Sequence, residues 1–372
     1  MAKSDEVVLT VNGKRFEWWE SVSITMKLLS ITREFSVGYT RNLRNGEGLL
    51  EGLPKVGQEV EFSIGGDVLA TGYVTKANQS YNATSVNMSV SGASKTIDLV
   101  QCTLPITAKH QYKSIDVVDF VQSIAGEYGI TVSNPIDFHQ KSTQTLTPTK
   151  KLGGVIQDIA NQFSILITDD EMGNLVITSI GQKGLTAEGL QTGKNILEGS
   201  RNVDAKDVYS TYTVVGQASN SASEKAVTAF QNKASSSQGG VRKREIVVNQ
   251  SGDASLDLMQ RKATLLKNHS VASAETFEYT VQGWRQSNGA LWEPNYLVRV
   301  TDDILGVYET LVIDEVTLKK DNGGTTTVLH CVRPESLVST EVPDAEKKST
   351  SKEAALDFTN KGTTKNANWT DK

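Results

Sequence analysis

The sequence has very little cysteine. Its two residues, Cys102 and Cys331, lie far apart and form no CxxC pair. A disulfide framework and a cysteine-rich zinc site are both excluded, and each cysteine is expected to pack as a small buried apolar residue. Histidine is scarce too. His110, His139, His269 and His330 stand outside metal-ligand spacing of one another and of either cysteine, so packing or surface roles are the ordinary reading of each. His269 is expected to follow a helix, as a C-terminal charge or surface residue. No run of about 18 apolar residues occurs, so no membrane span is expected. The N-terminal MAKSDEVVLTVNG lacks the apolar core of a signal peptide, which predicts a cytoplasmic setting before assembly. Charge of one sign is missing as well: 38 basic residues stand against 43 acidic ones, a formal net charge of −5. A dedicated nucleic-acid binder needs a concentrated basic surface to displace phosphate counterions, and nothing in this charge balance suggests one.

Apolar residues make up 38% of the 372 positions, enough for real cores in two to three domains. The first hundred residues read as strands. Val7, Leu9 and Val11 alternate with polar residues up to Asn12-Gly13, whose tolerance of positive φ suits a tight hairpin turn, and Phe16 and Trp18 resume the pattern. Val60, Phe62 and Ile64 run to Gly65-Gly66-Asp67, and further strands follow at 68–74 and 86–90. Residues 1–104 are therefore expected to form a small β-barrel or sandwich.

The period then changes. Val117, Val118, Val121, Ile124, Ala125 and Tyr128 follow helical spacing, with Ser114 as the expected N-cap and Gly129 as the closing residue. Leu152, Val155, Ile156, Ile159, Ala160 and Phe163 predict a second helix, followed by a hairpin through Asp169-Asp170-Glu171. Residues 105–205 thus read as a small α/β insert. A second barrel is expected over 206–340, holding a long mobile loop (216–240, rich in Ser, Ala, Asn and Gly) and a helix at 254–268. The tail 341–372 reads as flexible, since its last thirty residues hold eleven charges and few large apolar side chains. The expected class is mainly β with an α+β insert: two similar tube-type β-barrel domains and a small α/β domain.

Candidate chemistry is thin, and no catalytic, cofactor or metal residues are assigned. Asp169-Asp170-Glu171 lacks the spacing of a calcium loop and reads as a solvated hairpin turn, as does Asp302-Asp303. Lys150-Lys151 and Arg242-Lys243-Arg244 are short charge runs, solvated by default, although Arg242 and Arg244 could face DNA or a neighbouring subunit. Gly65-Gly66 and Gly239-Gly240 lack the Lys-Ser/Thr of a phosphate loop and read as turns. Trp284, Trp292 and Tyr296 fit a core or a subunit interface equally well.

Two segments share a pattern. Residues 57–92 and 294–332 each carry an alternating strand, a turn, a second strand, a polar loop and a third strand, with Val60 and Val298 in matching places. One chain with two equivalent barrels would make a six-unit ring as a trimer, an object able to join a sixfold tube to a threefold spike.

The segment TVQGWRQSNGALWEPNYLVRVTDDILGVYETLVIDEVTL, with Gly283-Trp284-Arg285, Leu291-Trp292 and Pro294-Asn295, resembles the baseplate hub proteins of Mu-like contractile-tailed phages. VVLTVNGKRFEWWESVSITMKLLSITREFSV and SVSGASKTIDLVQC resemble the same family, and so does the order barrel, insert, barrel. Related folds occur in contractile bacteriocins and in the N-terminal part of type VI secretion spike proteins. The resemblance implies a homotrimeric virion protein of the tail baseplate, made in the host cytoplasm and free of cofactors. Its partners would be the tail tube protein, a separate central spike protein and the tape-measure protein. DNA would pass its near-neutral bore without specific binding. A tail-associated cell-wall hydrolase would instead need a paired acidic or Cys/His constellation in one pocket. A carbohydrate-binding module would need exposed aromatic platforms.

Overall fold

The computed structural model describes residues 5–16, 19–42, 54–217, 224–230, 242–249 and 256–338. Expectations for Trp18, for Gly239-Gly240 and for the tail 341–372 fall outside them.

The first β unit runs β1 (Val7–Val11), β2 (Lys14–Phe16), β3 (Ser21–Lys27), β4 (Glu34–Asn42), β5 (Glu59–Ile64), β6 (Asp67–Tyr81) and β7 (Ser85–Ser94). The β1–β2 hairpin turns on Asn12 (φ 48°) and Gly13 (φ 76°), the positive pair that Asn-Gly supplies most cheaply. Strict alternation sends Val22, Ile24 and Met26 of β3 inward, each at most 3% exposed.

The insert follows: α1 (Ile97–Gln101), β8 (Gln111–Asp116), α2 (Val117–Gly126), β9 (Val132–Ser133), β10 (Lys141–Thr145), α3 (Leu152–Phe163), β11 (Leu166–Asp169) and β12 (Leu175–Thr178). The apolar stripes of α2 and α3 meet in a core of their own, with Phe120, Val121, Ile124 and Ile156 almost fully buried. The N-cap of α2 is Asp116, whose carboxylate accepts from the Val118 amide at 2.9 Å. The expected cap, Ser114, stands two residues too early, at φ 48°.

Next come β13 (Leu190–Gln191), β14 (Ile196–Val203), β15 (Thr211–Gln217), β16 (Glu224–Phe230), β17 (Glu245–Asn249), α4 (Leu256–Ser273), β18 (Glu275–Gln282), β19 (Leu297–Asp302), β20 (Val307–Asp321) and β21 (Gly324–Val332). A 3-10 turn, Pro334–Leu337, follows. Three differences from the sequence reading stand out here. β13 and β14, expected in the insert, pair with β19 and β18 of the second β unit. β15, expected in the second barrel, forms a separate three-stranded sheet with β16 and β17, against which Met259 and Ala263 of α4 pack. The segment expected to be a mobile loop contains β16, hydrogen-bonded to β15 along its whole length.

The mainly β reading with an α+β insert holds, but the way the β units join differs. Both lie in one 13-stranded sheet whose path runs β14-β18-β21-β20-β3-β4-β7-β6-β5-β1-β2, with β19 and β13 branching from β20. Among the described residues this path is open at β14 and at β2. One apolar core serves both units, mixing Leu9, Phe35 and Phe62 with Phe277, Trp284 and Leu318.

Candidate assembly surfaces

The two β units share one plan. In the first, β5, β6, β7, β4 and β3 are neighbours in that order, and in the second β19, β20, β21, β18 and β14 are. The middle strand of each meander, β6 in β5–β6–β7 and β20 in β19–β20–β21, has 15 residues. It also carries a bulge at nearly the same point, at Thr75 between Val74 and Lys76 and at Asp314 between Ile313 and Glu315; β6 has a second register shift, at Leu69 against β5, that β20 does not match. Such a bulge bends and twists a strand. Phe35 faces Gly92 in one unit and Phe277 faces Cys331 in the other, both rings buried. The internal repeat seen in sequence is therefore a repeat of topology.

The units differ at one edge. The inner half of β20 pairs with β19 and its outer half, Glu315–Lys320, pairs with β3. That seam joins the units: Val316, Leu318, Met26 and Ile24 are at most 1% exposed on its core side. On its outer side Thr25 and Thr317 share a hydroxyl hydrogen bond at 3.1 Å, and Lys27 meets Glu315 at 2.9 Å. The inner half of β6 pairs with β5 in the same way. Beyond Val74, that edge of β6 has no partner strand among the described residues, and every residue from Thr75 to Tyr81 is exposed. Among the described residues β14, the counterpart of β3, pairs only with β18, and Leu197 and Val203 on it are 54% and 37% exposed. Unpaired strand edges of this kind invite another strand.

The insert is fastened where the units meet. Arg33, between β3 and β4, is buried. Its Nε donates to Asp169 Oδ1 at 3.3 Å, its backbone amide to Asp169 Oδ2 at 3.1 Å, and its Nη1 and Nη2 to the carbonyls of Leu69 and Asp169 at 2.9 Å. Asp169 is thus a buried anchor rather than part of a solvated turn. Burial pushes its carboxyl pKa up, against the pull of the guanidinium. The turn itself is made by Asp170, which accepts from the amides of Met172 and Asn174. From the second unit Asn295, held at φ 71°, donates to Thr178 Oγ1 and the Ser179 carbonyl and accepts from the Gly181 amide at 2.7 Å. Leu166 of the insert packs against Leu28, Val312 and Val332 beside the seam.

At the other end of the second unit Glu275 is fully buried. It accepts from Arg201 at 3.0 Å and from Arg333 at 2.9 Å, while Arg333 also grips Glu309. This charge-paired network ties β14 to β18, β20 and the chain after β21.

The residues singled out in sequence separate clearly. Trp284 and Trp292 are at most 1% exposed and belong to the core, where Trp284 Nε1 donates to the Lys319 carbonyl at 2.9 Å. Burial removes the interface alternative for both. Tyr296 packs on the same core with Lys183 above its ring. Arg244 is bound to its own chain, donating to the carbonyls of Ala205, Lys206 and Val208 and stacking over Tyr209, whereas Arg242 is exposed. Asp302 is buried, taking the Ile304 and Leu305 amides and the Thr192 hydroxyl. Cys102 is only half-buried. His269 lies within α4, not after it; burial pushes its pKa down. His139 sits exposed between Asp116 and Asp137, with no nucleophile beside it, and its hydrogen bond to Asp116 raises its pKa. Among the described residues no group of His, Cys, Asp and Glu could hold a metal ion, and no helix is long and apolar enough to cross a membrane. Sequence reasoning missed Arg33, Asn295 and the β14 edge. Only Asn295, inside the GW…LW.PN stretch, carried a signal.

Duplicated β units, an anchored insert and open strand edges define a structural assembly protein. Comparison with known proteins gives its kind. Residues 6–94 match the N-terminal domain of Mu phage baseplate assembly protein GpP-like, residues 96–179 the second domain of baseplate hub protein gp44-like, and residues 257–340 the fourth domain of Mu phage baseplate assembly protein GpP. Baseplate hub protein gp44 of Escherichia phage Mu is 26% identical over 326 residues, 85% of this chain and 84% of that one. The 43 kDa tail protein of prophage MuSo2 from Shewanella oneidensis superposes with a TM-score of 0.79 at 26% identity, over 90% of this chain and 99% of the other. A tail protein from Neisseria meningitidis MC58 shares the fold at 20% identity and TM-score 0.73, over 90% and 98% of the two chains. The E. coli type VI secretion component c3393 does so more distantly, at 12% identity and TM-score 0.53, over 87% and 76%. The chain belongs with the baseplate hub proteins of Mu-like phages. These relatives are structural proteins, not enzymes.

Proposed function

We propose that three copies of the chain close into a ring of six similar β units at the base of a contractile phage tail. The ring stacks on the sixfold tail tube, seats the threefold central spike, and leaves a bore for DNA and the tape-measure protein. The observation that carries this reading is the duplicated unit: the same strand order, the same 15-residue middle strand and the same bulge occur twice in one chain. A protein with two equivalent units can meet a sixfold partner on one face while remaining a trimer for a threefold partner on the other. The near-balanced charge suits a passage in which DNA must not stick, since tight phosphate binding needs a surplus of basic side chains. The protein would be assembled in the host cytoplasm and end in the virion baseplate. Electron microscopy of the purified chain is expected to show rings with an open centre. Solid particles or separate monomers at tens of micromolar protein would refute the reading.

A further inference from the structure

The seam inside the chain is a template for one between chains. Aligning the units on their bulges and on the Phe35/Phe277 pair sets Lys76–Tyr81 against Glu315–Lys320, and Gly199–Asp204 against Val22–Lys27. The second members of these matches pair with each other within the chain; the first members stand open. We propose that the outer half of β6 in one copy pairs antiparallel with β14 of the next copy, in the register of the β3–β20 seam. This rests on the ring reading and adds to it the surface that closes the ring.

The chemistry at the matched positions agrees. The ion pair Lys27–Glu315 becomes Asp204, the residue just after β14 that already accepts from the Lys206 amide, opposite Lys76, with the charges exchanged between strands. The hydroxyl pair Thr25–Thr317 becomes Asn202 opposite Asn78, two side chains that can both donate and accept. The buried pair Met26–Val316 becomes Val203 opposite Ala77, and Tyr81, 84% exposed, comes to lie opposite Gly199. Pairing would satisfy the outward backbone groups of both edges and cover Ala77, Tyr81 and Val203 together. β14 is already held rigid by the Arg201–Glu275–Arg333 network, so little order has to be created on docking. The contact is head-to-tail, with the same step inside and between chains, and a heterologous contact closes a ring where six such steps complete one turn.

With Cys102 and Cys331 replaced by serine and alanine, chains carrying one introduced cysteine test the register. Asn78→Cys chains mixed with Asn202→Cys chains and mildly oxidised are expected to give a cross-linked pair that neither variant gives alone. A chain carrying both substitutions should give a covalent three-chain species. The matched pair Thr25→Cys/Thr317→Cys, whose hydroxyls already touch, should close within the chain and serves as the positive control for geometry. Lys76→Asp is expected to weaken self-association about tenfold or more, and adding Asp204→Lys should restore it. A trimer by light scattering that forms no 78–202 link, while the 25–317 control closes, would overturn this seam and leave the ring reading standing. A chain that stays monomeric would overturn both.

Discussion

The outer halves of β6 and β20 occupy the same place in two copies of one plan, yet they differ in what covers them. Beyond its bulge β20 presents Val316 and Leu318 to Ile24 and Met26, a dry apolar seam that is permanent because both sides belong to one chain. Beyond its bulge β6 presents Ala77 and Gln79, and the matching β14 presents Val203 and Arg201. Such side chains tolerate water. A surface that is exposed until its partner arrives cannot carry the apolar load of one covered at folding, because large exposed apolar patches promote aggregation. The same backbone geometry therefore serves a folding seam in one unit and, on the reading proposed above, an assembly seam in the other.

The comparison can be broken first at Arg33. Arg33→Ala leaves Asp169 buried without its guanidinium and removes one of the fastenings between the insert and the first unit, while Leu28–Leu166 packing and the Thr168–Ser30 hydrogen bond remain. Removing one partner of a buried pair costs about 3–5 kcal/mol, and urea unfolding of the full chain should show a loss of that size. At matched positions in the two middle strands, Leu318→Ala should cost about 2–5 kcal/mol, as core truncations do. Gln79→Ala should stay within about 0.5 kcal/mol in the unassembled chain, as exposed changes do. Equal losses in the two variants would show that the halves of the molecule are not divided as described.

The smallest effect concerns the bulges. In the second unit His330 Nδ1 meets Asp314 Oδ1 at 2.6 Å, and this hydrogen bond raises the histidine pKa despite partial burial. The matching place in the first unit holds only Thr75, which donates to the Ser91 carbonyl. A histidine whose folded-state pKa is raised stabilises the fold fully below its ordinary pKa of about 6.5, and that contribution is lost as pH rises through the folded value. The stability difference between the native chain and His330→Gln should therefore be larger at pH 6 than at pH 8.5. A Thr75→Val variant should show no such trend. Denaturant midpoints at the two pH values decide it.

Much of this was legible in the sequence wherever the signal was local. Asn12-Gly13 marked its hairpin, the apolar spacing of α2 and α3 marked their buried faces, and the repeated pattern marked the two units. The failures share a physical cause. Strand partners are chosen across long sequence separations, and alternation alone cannot say which sheet a strand joins. So the local pattern places β14 with the insert and β15 with a barrel, and β16 lies in a polar segment whose composition reads as a loop. Asp169 looked like one of three turn acids because its neighbours are turn residues; only the distant Arg33 makes it an anchor. Trp284 and Trp292 are equally at home in a core or an interface, and burial alone separates the two.

The claim that two matched edges are covered in one unit and open in the other is tested most directly by amide hydrogen exchange. The comparison is between dilute and concentrated protein, with the mass followed by light scattering. Glu315–Lys320 should be protected at every concentration. Outward amides of Lys76–Tyr81 and Gly199–Val203 should exchange freely in the 40.4 kDa single chain and become protected as the mass triples. A tripled mass with those amides still unprotected would contradict the account.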